Sequence, residues 1–317
     1  MSDTLDAPKY LDGAAVLKTI EKQQGILVER ATDIYSFSHL TLQEYLTAFH
    51  VVEERLEDQL ITHHMTDKRW REVFLLVAGL SGNRAIDLLN TLHQKAQTYI
   101  EHYLKLCDLL RWATASTEGS KGDYRPIAKR AAALAVASDI TSNSTIARAS
   151  TSMIARTIAS TSASASAIVR TISNARRRAG QIACRIEKTR ARADVSASTI
   201  AKIIAKAKVG SISSTSTITN IFKSPKVADL PDQLNRLSEN IPDANASSEV
   251  WHNWADDLEA VWLEALGLDK AALTFTQEEE AIRDYFYAIE LLIRCKGAAV
   301  RISKQAWADL EARLLTV

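Results

Sequence analysis

Apolar residues recur at intervals of three and four along almost the whole of this 317-residue chain, and one short stretch breaks the pattern. That period puts them on one face of a helix, so helices should carry the fold. Within 11–24, Leu11, Ala14, Ala15, Leu17 and Ile20 share a face, and Gly25 stands where a left-handed C-cap belongs. The exception is 26–37. There Ile26-Leu27-Val28 and Ile34-Tyr35-Ser36-Phe37 are strand-like runs separated by the polar residues 29–33, which predicts a hairpin. Thr41 followed by Glu44 has the spacing of a capping box and opens the next helix, carrying Leu42, Leu46 and Phe49. Helix, hairpin, helix is the outline of the last part of a winged-helix domain. Beyond it, 70–80 and 85–112 read as core helices, and 117–122 reads as a loop. Ten glycines, five prolines and 6% aromatic residues argue against a turn-rich β-sandwich or barrel.

The net charge of +1 conceals a strong asymmetry. Residues 1–138 carry 16 Lys and Arg against 18 Asp and Glu, residues 139–226 carry 15 against 3, and residues 227–317 carry 8 against 17. Either the basic middle docks on the acidic end, or it meets an external polyanion. The middle is also rich in Ser, Thr, Ala and Ile. Isoleucine pairs four apart recur there at Ile154/Ile158, Ile168/Ile172, Ile182/Ile186 and Ile200/Ile204. At about 100° per residue these fall on one face, as in stacked helical hairpins with Gly180 and Gly210 as breaks. After Pro225 and Pro231 a polar stretch to Ser248 reads as a connector, followed by an aromatic-rich helical stripe through Trp251, Trp254, Leu258 and Trp262. These tryptophans are most simply core anchors.

No glycine is followed by lysine, so the phosphate-cradling GxxxxGK[ST] loop does not occur in this chain. There is also no HExxH, no GxSxG, no dinucleotide fingerprint and no zinc spacing. His63, His64, His93 and His102 are placed too poorly for a metal. The expectation is a non-enzyme with no cofactor of its own. Cys107, Cys184 and Cys295 form no CxxC pair, as in a reducing compartment. The first residues lack a signal-peptide pattern, and the longest uncharged run, 209–222, falls short of the roughly 18 residues a membrane span needs. A cytoplasmic protein without membrane contact is expected.

The segment from Tyr35 to Phe49 resembles the end of the winged-helix domain in NACHT-type STAND NTPases, on the pattern F-x-H-x-x-x-Q-E-[YF]-x-x-A, matched by Phe37, His39, Gln43, Glu44, Tyr45 and Ala48. Arg69-Trp70-Arg71-Glu72-Val73 with Leu75 to Leu80 is similar to the helix that follows in that family. Tyr285, Ala288, Leu291, Leu292, Cys295 and the run Glu311 to Leu315 look like the C-terminal helical domain of its cyanobacterial-type members. The resemblance implies a nucleotide-controlled signalling or defence switch, closed with ADP and opened by exchange for ATP. It also implies that His39 would hydrogen-bond the β-phosphate of ADP, a task suited to an imidazole that can donate from either nitrogen. With no phosphate-binding loop in the chain, ADP or ATP would enter only through an NTPase module acting in trans.

The sequence therefore reads as mainly α. It predicts a winged-helix remnant with one small hairpin at 1–60, a helical segment at 61–120, basic helical-hairpin repeats at 121–224, a linker at 225–248 and a C-terminal α-helical domain at 249–317. The favoured role is a non-catalytic regulatory or sensor region of such a switch. The alternatives are a polyanion-binding module or a remnant without independent function. The polyanion module would use Arg176, Arg177, Arg178, Arg185, Lys188, Arg190 and Arg192 on nucleic-acid phosphates. Phe222 alone in the block supplies an aromatic, which disfavours base stacking.

Overall fold

Asp12 and Gly25 bracket the first helix, α1 (Gly13–Gln24), in the computed structural model. The Asp12 carboxylate accepts from the Ala14 amide at 3.0 Å, and Gly25 closes the helix at φ 62°. The structure describes residues 12–121, 125–140, 221–240, 242, 247–269 and 278–317. The isoleucine pairs between 154 and 204, and the breaks at Gly180 and Gly210, lie outside the described residues.

The hairpin forms where it was expected, but with a shorter turn. Strands β1 (Leu27–Ala31) and β2 (Ile34–Phe37) pair antiparallel in the register Leu27 to Phe37 and Ala31 to Ile34. The polar residues 29–31 belong to the strand because an irregularity between Glu29 and Ala31 absorbs Arg30. Only Thr32 and Asp33 remain in the turn, and Asp33 takes the left-handed conformation at φ 59° that aspartate tolerates.

Helix α2 (Leu40–Glu53) starts earlier than its capping box implied. The chain enters through an extended His39, φ −130° and ψ 133°, so Thr41 falls inside the first turn, Glu44 just beyond it, and no side chain caps the end. Helices α3 (Glu57–His64) and α4 (Arg71–Leu80) follow, the latter after a 3-10 turn at Lys68–Trp70. The expected helix over 85–112 is two, α5 (Ala85–Thr98) and α6 (Leu104–Thr117). Between them Ile100 is buried in a tight turn, and the Cys107 thiol donates to its carbonyl at 3.3 Å. Helix α7 (Pro126–Ile140) packs on α6.

The stretch 225–248, read as a connector, carries helix α8 (Lys226–Glu239). Val227 and Leu230 are buried and Leu234 half-buried, an apolar stripe at helical spacing that the surrounding polar residues masked in composition. It lies against α9 (Ser248–Leu266), where the Trp254 indole donates to the Leu237 carbonyl at 3.1 Å. Helices α10 (Glu279–Ala298) and α11 (Lys304–Arg313) complete the order. Trp262 is buried, as a core anchor should be; the side chain of Trp251 lies outside the described set.

The long α10 lies at the centre. It packs on both α4 and α5, burying Tyr285, Phe286, Ile289 and Leu292 against Phe74, Val77, Leu89 and Leu92. The Cys295 thiol reaches the Phe74 carbonyl at 3.6 Å. Trp112 donates to the Leu266 carbonyl at 3.0 Å, and the Lys223 amide donates to the Ser116 carbonyl at 2.7 Å. Helices from 61–120 thus share one hydrophobic core with helices from the last ninety residues. The fold is mostly helical with one two-stranded hairpin among the described residues.

Candidate functional site

His39 sits at the junction of hairpin and helix. The Ser38 amide donates to the Ile26 carbonyl at 2.8 Å, which anchors the exit from β2 beside the start of β1. The His39 carbonyl accepts from Leu42 and Gln43, while its ring is exposed and caps nothing. The N-terminus of α2 therefore presents amides without a side-chain acceptor, next to an exposed imidazole. Such an end favours anions, because its free N–H groups and the helix dipole both point partial positive charge outward.

The hairpin around it is stitched by acidic side chains. Glu21 accepts from the Glu29 amide at 3.2 Å, Glu29 accepts from the Asp33 amide at 3.0 Å, and Arg30 donates to Ser36 at 2.9 Å. Partial burial and the carboxylates of Glu29, Glu21 and Asp33 push the Tyr35 phenol up. None of the residues of α1 is buried.

Helix α2 is apolar on two sides. Ala48, Val51 and Val52 are buried toward α4, yet Tyr45, Leu46 and Phe49 face solvent, with Tyr45 and Phe49 rings stacked at 6.4 Å between centroids. Leu40, 66% exposed, adds to the apolar surface beside His39, and Ile34 at the turn end of β2 is 61% exposed. A helix apolar all round is ordinarily buried all round. The sequence placed Leu42, Leu46 and Phe49 on this helix without marking a second apolar face; its legible signal was that Ala48, Val51 and Val52 occupy a different one.

Of the other residues singled out, Gln43 is exposed and Glu44 half-buried. Arg176, Arg177, Arg178, Arg185, Lys188, Arg190 and Arg192 lie outside the described residues. His64 stacks on Trp70 at 3.8 Å between centroids. Among the described residues no group of three or more His, Cys, Asp or Glu could hold a metal ion, and no helix is long and apolar enough to cross a membrane.

Two family models match this chain. The winged helix-turn-helix domain C-terminal to NACHT matches residues 3–51, which span α1, the hairpin and most of α2. NACHT C-terminal helical domain 2 matches residues 230–317, from within α8 to the last residue. Both are domains of NACHT-type proteins, and the chain comprises a C-terminal part of one. No curated protein and no solved structure matches it.

Proposed function

We propose that this chain is the non-catalytic regulatory region of a NACHT-type signalling or defence switch, and that its winged-helix end docks on an NTPase module supplied in trans. The observation that carries the reading is the pairing of an exposed His39 at an uncapped helix N-terminus with the solvent-facing Leu40, Tyr45, Leu46 and Phe49. The first is what a bound diphosphate needs; the second is what a protein surface needs. In this role His39 donates to the β-phosphate of ADP held by the module, and loss of ADP weakens the docking. Sensing would then belong to the helices C-terminal to the winged helix.

The test uses the purified full chain and a NACHT NTPase module from the same genome, loaded with a fluorescent ADP analogue. The wild-type chain slows analogue release, and His39→Ala accelerates it by about tenfold, the loss of one charge-assisted hydrogen bond. A chain that neither binds the module nor changes release overturns the reading.

A second reading has its own support in the excess of twelve positive charges over 139–226. There the chain binds nucleic acid or another polyanion through Arg176, Arg177 and Arg178. Binding that falls by orders of magnitude between about 50 and 200 mM salt, and is lost on their replacement by Ala, supports it. No binding at low salt eliminates it.

A further inference from the structure

Residues 311–316 are held by side chains far away in the sequence. Helix α11 stops at Arg313, and beyond it Leu314 and Leu315 are both 0% exposed. Leu315 reaches its pocket in the left-handed conformation, φ 59°, which a leucine rarely adopts. Such strain persists only where the surroundings impose it.

The surroundings here are side chains from two distant helices. Arg130 of α7, 6% exposed, donates through Nη1 to the Leu314 carbonyl and through Nη2 to the Ala312 carbonyl at 2.9 Å. Arg125, just before α7, donates to both carboxylate oxygens of Glu311 at 3.1 and 2.9 Å. From α5, Gln97 donates to the Thr316 carbonyl at 3.1 Å, and Asn90 accepts from Arg313 at 2.8 Å. A buried guanidinium committed to backbone carbonyls couples the two segments tightly, because freeing either leaves a buried polar group without its partner. Helix α7 is the last described element before residues 141–220.

We propose that residues 314–317 are a strap that locks α7 in place, and that strap and α7 open together as one unit while α4 and α10 stay folded. The strain at Leu315 favours opening at this seam, and the buried Arg130 makes strap and α7 open together. Release of the strap then frees α7 from the core. The inference stands independently of any NTPase partner.

Hydrogen exchange by mass spectrometry on the full chain tests it. In the wild type, peptides covering 126–140 and 314–317 should share one opening, exchanging at least about tenfold faster than peptides covering 71–80 and 279–298. Arg130→Gln should accelerate both segments together and leave the other two unchanged. Exchange of 126–140 only through global unfolding overturns the proposal, and so does a strap that opens alone. Should Arg130→Gln fail to fold, the dependence of wild-type exchange on low denaturant decides: a shared, shallow dependence for strap and α7 supports the unit, and a dependence equal to that of α10 refutes it.

Discussion

Two titrating side chains report directly on the local structure. Arg69 donates to the Asp67 carboxylate at 2.7 Å, and with the Arg69 amide it holds the Asp67 pKa down to about 2. The native state therefore favours the carboxylate. The stabilisation is complete above the unfolded value of about 4 and is lost as pH falls toward about 2. Carboxyl resonances followed by NMR should show Asp67 titrating near the bottom of that range, and Arg69→Ala should bring it back up. His93 runs the other way in charge but not in direction. It is buried beside Gln97 at 3.2 Å, and burial first, then the Arg313 charge, lowers its pKa. The unfolded chain takes up a proton near pH 6.5 that the folded chain refuses, so stability is full above 6.5 and falls as pH drops below it. Thermal melts between pH 7 and 5 should show a decline that His93→Gln flattens. The sequence marked His93 as a residue of no particular site. Its burial was not legible, because Arg313 and the end of the chain approach it only in the folded state.

At the scale of elements, caps and faces separate what is worth much from what is worth little. The Ser303 hydroxyl accepts from the Ala306 amide at 3.0 Å at the start of α11. Ser303→Ala should cost about 1 kcal/mol in a denaturant titration. On α2 the two faces should respond oppositely. Val51→Ala empties a buried site and should cost about 1–2 kcal/mol, whereas Phe49→Ser on the exposed face should stay within about 0.5 kcal/mol of wild type. A large loss on Phe49→Ser would mean that this face is covered within the chain. Much of this level was readable from residues. The hairpin follows from Ile26 to Phe37, Gly25 ends α1 at positive φ, and the stripe from Val73 to Ala78 makes α4 a core helix. Two readings went astray for local reasons. Thr41 and Glu44 have a capping box's spacing, yet the extended entry at His39 starts the helix at Leu40, ahead of both, so neither can cap it. The polar composition around Val227, Leu230 and Leu234 concealed α8, whose stripe shows only when spacing is weighed above average polarity.

Across the whole molecule, α10 joins the two sequence ends of the hydrophobic core, since it lies in the last stretch and packs on α4 and α5 in the first. Tyr285 and Phe74 are fully buried on either side of the same contact, more than two hundred residues apart in sequence. Phe74→Ala should therefore cost about 3–5 kcal/mol, and its loss should appear at both ends in one transition, read by far-UV circular dichroism and by tryptophan fluorescence together. Separated transitions would mean independent units. The amino-acid sequence by itself did not divide 85–112 into α5 and α6 or show α8, but it determined the helical class, the hairpin, the bounds of helices such as α1 and α4, and the likeness to NACHT C-terminal domains at both ends. These follow from periodicity, turn chemistry and short motifs, which act between residues close in the chain. Only the tertiary structure decided which helices meet: α10 against α4 and α5, Trp112 against the Leu266 carbonyl, Arg130 against the last residues of the chain. Apolar burial is non-directional, so a stripe records that a face must be covered without recording by what. The partner is chosen by shape and by hydrogen bonds formed after the chain has come together.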